Sequence, residues 1–165
     1  MKTLIIYATK YGCTKECAEI LKSYLKGDVD LFSAKTGNIN IAPYDVVFIG
    51  GSVYMGKIQK EITHFCWRNL KKLLSVKLGL FVCCYTPNGT DGFFETLFPL
   101  ELLNHASYVT SVGGKMDYEK MNFIYRKMFQ SLKKIEGFNE GFNEGFTEPV
   151  INKDSIKKLA ETVSK

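Results

Sequence analysis

TLIIYATKYGCTKECAEIL, residues 3–21, is the stretch whose reading decides the fold. Its first part, TLIIYA (3–8), is a near-continuous apolar run, the pattern of a strand buried on both faces. Its last part, continued to residue 26, places Cys17, Ala18, Leu21, Tyr24 and Leu25 at helical spacing, with Lys and Glu on the other side. Between them lies the turn Thr9-Lys10-Tyr11-Gly12-Cys13-Thr14. A buried strand, a short turn and an amphipathic helix make the first half of a parallel β-α-β unit.

The same alternation runs on along the chain. DVDLFS (28–33) reads as a short strand, KTGNINIAPY (35–44) as a loop closed by Pro43, and DVVFIGG (45–51) as a second buried strand. KIQKEITHFCWRNLKKLL (57–74) has a helical apolar stripe of Ile58, Ile62, Phe65, Cys66, Leu70 and Leu73. KLGLFVCCY (77–85) is a third buried strand. GFFETLFPLELLNHA (92–106) reads as helix interrupted at Pro99, and SYVTSVGG (107–114) as a fifth strand. DSIKKLAETVSK (154–165) closes the chain as a helix capped by Asn152 or Asp154. Apolar strands separated by helices require a parallel sheet covered on both faces. The expected fold is α/β, a three-layer α/β/α sandwich with a five-stranded parallel sheet in the order 2-1-3-4-5.

The chain of 165 residues suits one domain, and 45% hydrophobic with 24% charged residues is an ordinary globular composition. No apolar run reaches the length of a membrane span. Met1-Lys2 leads into TLIIY with no cleavage-type site after it, so no signal peptide is expected and a cytoplasmic location is. The net charge of +5 does not itself indicate nucleic acid, and none is expected as a partner. It favours an acidic partner, a membrane surface or a small anion. The five cysteines are odd in number and contain no CxxC pair, which fits reduced thiols. Only His64 and His105 are available to complete a zinc site, so no metal is expected.

Two segments near 115–150 stand apart as an insertion within the single domain. DYEKMNFIYRKMFQSLKKI (117–135) is a basic amphipathic helix, with Met121, Ile124, Tyr125, Met128, Leu132 and Ile135 on one face and Lys120, Lys127 and Lys134 on the other. It either packs on the domain or meets a membrane or a partner enzyme. GFNEGFNEGFTE (137–148) is a four-residue unit repeated three times, too short for a solenoid. It is either a surface loop or an aromatic lid.

The turn 9–14 sits where ligands bind in such a sheet, beyond the carboxyl end of a strand. The helix start offers N–H groups and the positive end of a dipole. Thr9 and Thr14 add hydroxyls and Gly12 permits a tight turn. Together they form a phosphate cradle, the alternative being a capped helix without a ligand. Neither a G-x-x-x-x-G-K-[ST] loop nor a G-x-G-x-x-G turn is present, which excludes the P-loop and disfavours a dinucleotide fold. The acidic residues of a receiver domain are absent around the first strand. Cys13 lies at a helix start, which lowers a thiol pKa while burial opposes that, and a packing role is expected for it.

MKTLIIYATKYGCT, followed by YDVVFIGGSVYMGK, resembles the flavodoxin family, whose phosphate loop usually reads Ser/Thr-x-Thr-Gly-x-Thr. Tyr11 stands where that pattern has threonine. The chain is more specifically similar to the branch that includes the menaquinone-dependent protoporphyrinogen dehydrogenase, with its MKTL start, T-x-x-G-x-T turn and basic, Met-rich segment after the fifth strand. The resemblance implies a flavodoxin-like fold and FMN as cofactor. It implies phosphate at Thr9, Lys10, Tyr11, Gly12, Cys13 and Thr14. The isoalloxazine ring is then expected between Ser52, Val53, Tyr54, Met55, Gly56 and Lys57 on one side and Cys84, Tyr85, Thr86, Pro87 and Asn88 on the other. Tyr54 and Tyr85 are the stacking candidates, each alternatively a partly exposed loop tyrosine. Gly56 can let a backbone carbonyl turn towards a reduced flavin N5–H, and it also reads simply as a turn glycine.

The flavin supplies the redox chemistry and the protein binds and tunes it. The loops carry Lys57 and Asp91 and little other charge, so a potential less negative than in acidic carriers is expected. The expected function is an FMN-binding redox protein that transfers electrons through its flavin to a redox partner protein or a quinone. The alternatives are a quinone-dependent protoporphyrinogen IX dehydrogenase or quinone reductase, and a flavin-free interaction module. Residues 117–135 are the expected place of peripheral membrane contact. No catalytic acid or base is identified.

Overall fold

The computed structural model describes residues 1–54, 56–84, 92–115, 123, 124, 127 and 150–164. Strand β1 (Lys2–Ala8) leads through the turn into α1 (Cys13–Tyr24), and β2 (Asp28–Ser33) follows. Next come β3 (Val46–Tyr54), a two-residue strand β4 (Lys57–Ile58), α2 (Lys60–Arg68), α3 (Leu70–Leu73) and β5 (Lys77–Cys83). Helix α4 (Leu100–His105), strand β6 (Tyr108–Ser111) and helix α5 (Lys153–Ser164) complete the described elements.

The sheet runs β2-β1-β3-β5-β6 with every pair parallel, and β4 folds back antiparallel on β3. With the short β4 set aside, this is the expected 2-1-3-4-5 order. The register brings the carboxyl ends to one edge: Ala8 stands beside Gly51, Ser52 beside Cys83, and Val82 beside Ser111. The turn 9–14, Gly56, Cys84 and the residues that directly follow Ser111 therefore leave the sheet at the same side.

Alternate residues of each central strand feed two cores. Leu4, Ile6, Val47, Ile49, Leu78 and Leu80 face Ile62, Phe65, Cys66, Leu73 and Leu102 of α2–α4. Ile5, Val46, Phe48 and Phe81 face Cys17, Ala18 and Leu21 of α1 and Ile156, Leu159 and Val163 of α5. Three layers result, as each strand's two-sided apolar character requires. Gly50 gives room to the neighbouring Phe81: a methyl group built there would overlap that ring.

The expected single helix 57–74 is divided. Lys57 and Ile58 pair with Tyr54 and Val53, so the helix begins only at Lys60. It breaks again at Asn69, whose side-chain Nδ2 and backbone N both donate to the Phe65 carbonyl, at 3.0 and 3.1 Å. An amide side chain that competes for the backbone ends a helix in this way. The 92–106 segment is a 3-10 turn at Phe94–Thr96 and then α4, separated by Pro99 as expected. At α5 the cap is Asn152, whose Oδ1 accepts from Ser155 N at 3.0 Å.

The 117–135 helix and the GFNE repeat fall almost wholly outside the described residues. Phe123 and Ile124 are described and exposed, with Lys127 Nζ 5.7 Å from the Phe123 ring centroid. Among the described residues no helix is long and apolar enough to cross a membrane.

Candidate functional site

The turn between β1 and α1 is built around Gly12, whose φ of +96° is the left-handed conformation that glycine takes at least cost. Thr9 Oγ1 accepts from Gly12 N at 2.9 Å and closes the turn. The first helical hydrogen bond runs from Glu16 N to Gly12 O at 3.1 Å. Among the described residues no side chain caps α1. The N–H groups of its first turn, which have no carbonyl one turn back inside the helix, therefore face the turn with the positive end of the dipole. Among the described residues nothing lies within 4 Å of where a Gly12 Cβ would project, so the turn has open space beside it.

Thr14 is fully buried, and its hydroxyl turns inward to Ser52, with Oγ1 to Oγ 2.7 Å. What Thr14 presents to the turn is its backbone. Ser52 N in turn donates to Gln59 Oε1 at 2.8 Å. Gln59 Nε2 is buried and has no hydrogen-bond partner among the described residues. Nothing in the sequence singles out Gln59, because its role follows from the β3–β4 reversal that carries it back beside Ser52.

The turn and the β3 loop also meet through aromatic rings. Tyr11 and Tyr54 pack edge to face with centroids 5.8 Å apart, and Lys10 Nζ lies 5.4 Å from each centroid. This geometry is the one in which a cation is attracted to a ring face. Burial pushes the Tyr54 phenol up to about 12, so it is neutral at physiological pH. Gly56 has φ +72° in the two-residue connection to β4 and open space around it. Val53 and Lys57 pair with Ile58 and Tyr54 in that hairpin.

Cys13 turns inward. Its Sγ and those of Cys17 and Cys83 all lie within 4.8 Å of one another. Lys115 N donates to Cys13 Sγ at 3.2 Å, and Lys115 Nζ pairs with Glu16 at 2.9 Å. Hydrogen bonds from Cys17 and Cys83 hold the Cys13 thiol well below its ordinary value against the effect of burial, and Lys115 adds to them. Cys17 and Cys83 shift upward for the complementary reason, each hydrogen-bonded to Cys13 and buried. The i, i+4 spacing of Cys13 and Cys17 is legible in the sequence, but the arrival of Cys83 requires the sheet.

Cys84 follows directly after β5, and its Sγ lies 3.4 Å from Ser111 Oγ. Met55, Tyr85, Thr86, Pro87 and Asn88 fall outside the described residues. On the α2 side, two open grooves of about 630 and 690 Å³ flank His64 and the exposed Trp67. Lys57 lines the first, and no residue of the turn 9–14 lines either.

The site fits an anionic, planar ligand: uncapped N–H groups, an open glycine, a nearby lysine, two aromatic rings and an unpartnered buried amide donor. In comparison with known proteins, the chain superposes on a Streptococcus pneumoniae TIGR4 flavodoxin with a TM-score of 0.55 and 14% identity, over 99% of this chain and 98% of that one. An archaeal flavodoxin superposes with a TM-score of 0.51 and 12% identity over the full length of both chains. The two-electron reduced flavodoxin of Megasphaera elsdenii does so at 0.51 and 17% identity, over 66% of this chain and 84% of that one. These identities speak to fold alone. No curated protein matches the chain. The flavodoxin domain family matches residues 4–141, a span that runs from the first strand through the turn and both central strands, and the chain belongs to that family.

Proposed function

We propose that the chain binds FMN and transfers electrons through it. One observation carries the reading: the turn 9–14 leads, through Gly12 at φ +96°, into a helix that no side chain among the described residues caps. A phosphate is the ligand this N–H array and dipole suit. Thr9, Lys10, Tyr11, Gly12, Cys13 and Thr14 would hold it. Tyr54, Gly56 and Lys57 would border the ring, with Gln59 Nε2 as a donor to a ring acceptor. When bound, the flavin supplies one- and two-electron transfer. The protein's part is to anchor the phosphate, orient the ring and set its electrostatic surroundings.

A second, finer reading is an enzyme of the protoporphyrinogen dehydrogenase type that passes electrons to a quinone. Charge favours it. Lys10 stands over the Tyr11 and Tyr54 rings, and Lys57 follows in the adjoining hairpin. Positive charge beside a flavin raises its potential, which suits a quinone acceptor better than the low-potential task of a ferredoxin substitute. The basic segment 117–135 is then its contact with the quinone-bearing membrane or a redox partner protein.

Anaerobic assay of the FMN-loaded protein separates these. Turnover of protoporphyrinogen IX with a menaquinone analogue supports the dehydrogenase. Tight FMN binding without that turnover supports a carrier between proteins. Failure to bind FMN leaves a flavin-free interaction module and overturns the main reading.

A further inference from the structure

Three sulfur atoms meet where α1 crosses the carboxyl end of β5. Cys13 and Cys17 stand one turn apart on the same face of α1, and Cys83 is the last residue of β5. All three Sγ atoms lie within 4.8 Å of one another, Cys17 and Cys83 at 3.5 Å, and none is in a disulfide. We propose that Cys13, Cys17 and Cys83 form a three-sulfur site for a soft, thiophilic monovalent cation of the Cu(I) class.

The spacing suits such an ion. A cation about 2.3 Å from each of three sulfurs in one plane holds them about 4 Å apart. Cys17 and Cys83 at 3.5 Å, with no pair of the three beyond 4.8 Å, bracket that value. The donor set is all sulfur, and among the described residues no histidine or carboxylate joins it. Zinc structural sites take four ligands, and calcium and magnesium take oxygen. Thiolate-only sets select soft ions, and Cu(I) accepts three-coordination.

The surroundings suit it as well. Cys17 and Cys83 are 1% and 5% exposed, which keeps water from the ion, while half-buried Cys13 gives it a way in. Lys115 N–H to Cys13 Sγ supplies an outer-shell hydrogen bond that orients a ligand. Each of the three thiols gives up its proton to solvent as its metal–sulfur bond forms. Cys66 offers a contrast: it is equally buried but packs in the opposite core among Ile62, Phe65 and Leu73.

The test is anaerobic titration of the reduced, FMN-free full chain with Cu(I) held by a bicinchoninate competitor. The expected result is one ion per chain, with copper–thiolate charge-transfer absorption and three sulfur neighbours by X-ray absorption. Cys17→Ser and Cys83→Ser each weaken binding by more than the roughly 10–100-fold that loss of an outer-shell partner costs. Cys66→Ala leaves it unchanged. Retention of all Cu(I) by the competitor, fewer than three sulfur neighbours in the unaltered chain, or binding indifferent to both serine variants would overturn the site. The sulfur count on the unaltered chain stands even where a variant fails to fold. The flavin plays no part in the readout, so failure of the FMN reading leaves this result intact.

Discussion

Thr14 Oγ1 lies 2.7 Å from Ser52 Oγ, in a buried contact that joins the start of α1 to the end of β3. The contact ties together the two loops proposed to hold the phosphate and the ring. Thr14→Val keeps the shape and leaves Ser52 without this partner. It is expected to cost about 1–3 kcal/mol, the cost of stranding a buried polar group. Urea unfolding checks it through a lowered midpoint at unchanged slope. The double variant with Ser52→Ala should lose less than the sum of the two single losses, since both remove one interaction.

Gly12→Ala separates strain from binding. Among the described residues nothing lies within 4 Å of the added methyl, so none of them clashes with it. Its cost to stability is the left-handed backbone alone, roughly 1–2 kcal/mol. The methyl also adds bulk to the turn proposed to hold the phosphate. FMN affinity should fall by more than stability does, measured by flavin fluorescence against the unfolding midpoint. Equal losses would argue that the turn is only a structural cap.

Lys10 is the cation proposed to stand beside the flavin ring. Lys10→Glu replaces a cation 5.4 Å from the Tyr54 ring centroid by an anion. The potential of bound flavin should become more negative by tens of millivolts, on the order of 1 kcal/mol per unit charge in partly solvated surroundings. The shift should shrink as salt is raised. A potential unmoved by the substitution would place Lys10 away from the ring.

Tyr44 donates its hydroxyl to Asp30 Oδ2 at 2.8 Å, far from the turn on the β2 edge. That bond, with Lys2 nearby, holds the Asp30 carboxyl below its usual range. Burial and then Asp30 push Tyr44 up to about 12. Asp30 therefore contributes stability that is whole above its unfolded value of about 3.9 and lost as pH falls through the lower folded value. Tyr44 contributes stability that is whole below about 10 and lost as pH rises through its folded value. The stability gap between the wild-type chain and Tyr44→Phe should be flat in the middle range and close at both ends. Chemical denaturation across pH measures it.

Much of this was legible in residues 3–21 and in the buried runs 45–51 and 77–85. Continuous apolar strands leave no solvent face, so two helical layers and a parallel order follow. The helix 57–74 misled because its apolar stripe continues through Ile58 and Leu70. Pairing of Ile58 with Val53 and the amide of Asn69 overrode that periodicity locally. At the site, Gly12 and the turn could be read, since a helix start needs only local sequence. Gln59 beside Ser52 and Cys83 beside Cys17 could not, because each meeting is made by sheet register.

The central claim is that the turn 9–14 holds a phosphate, and a comparison of FMN with riboflavin tests it most directly. The two differ by the phosphate alone. Titration of the purified chain by flavin fluorescence should show FMN bound at least about 100-fold more tightly, roughly 2.7 kcal/mol or more. Riboflavin bound as tightly as FMN, or neither bound, would contradict the account.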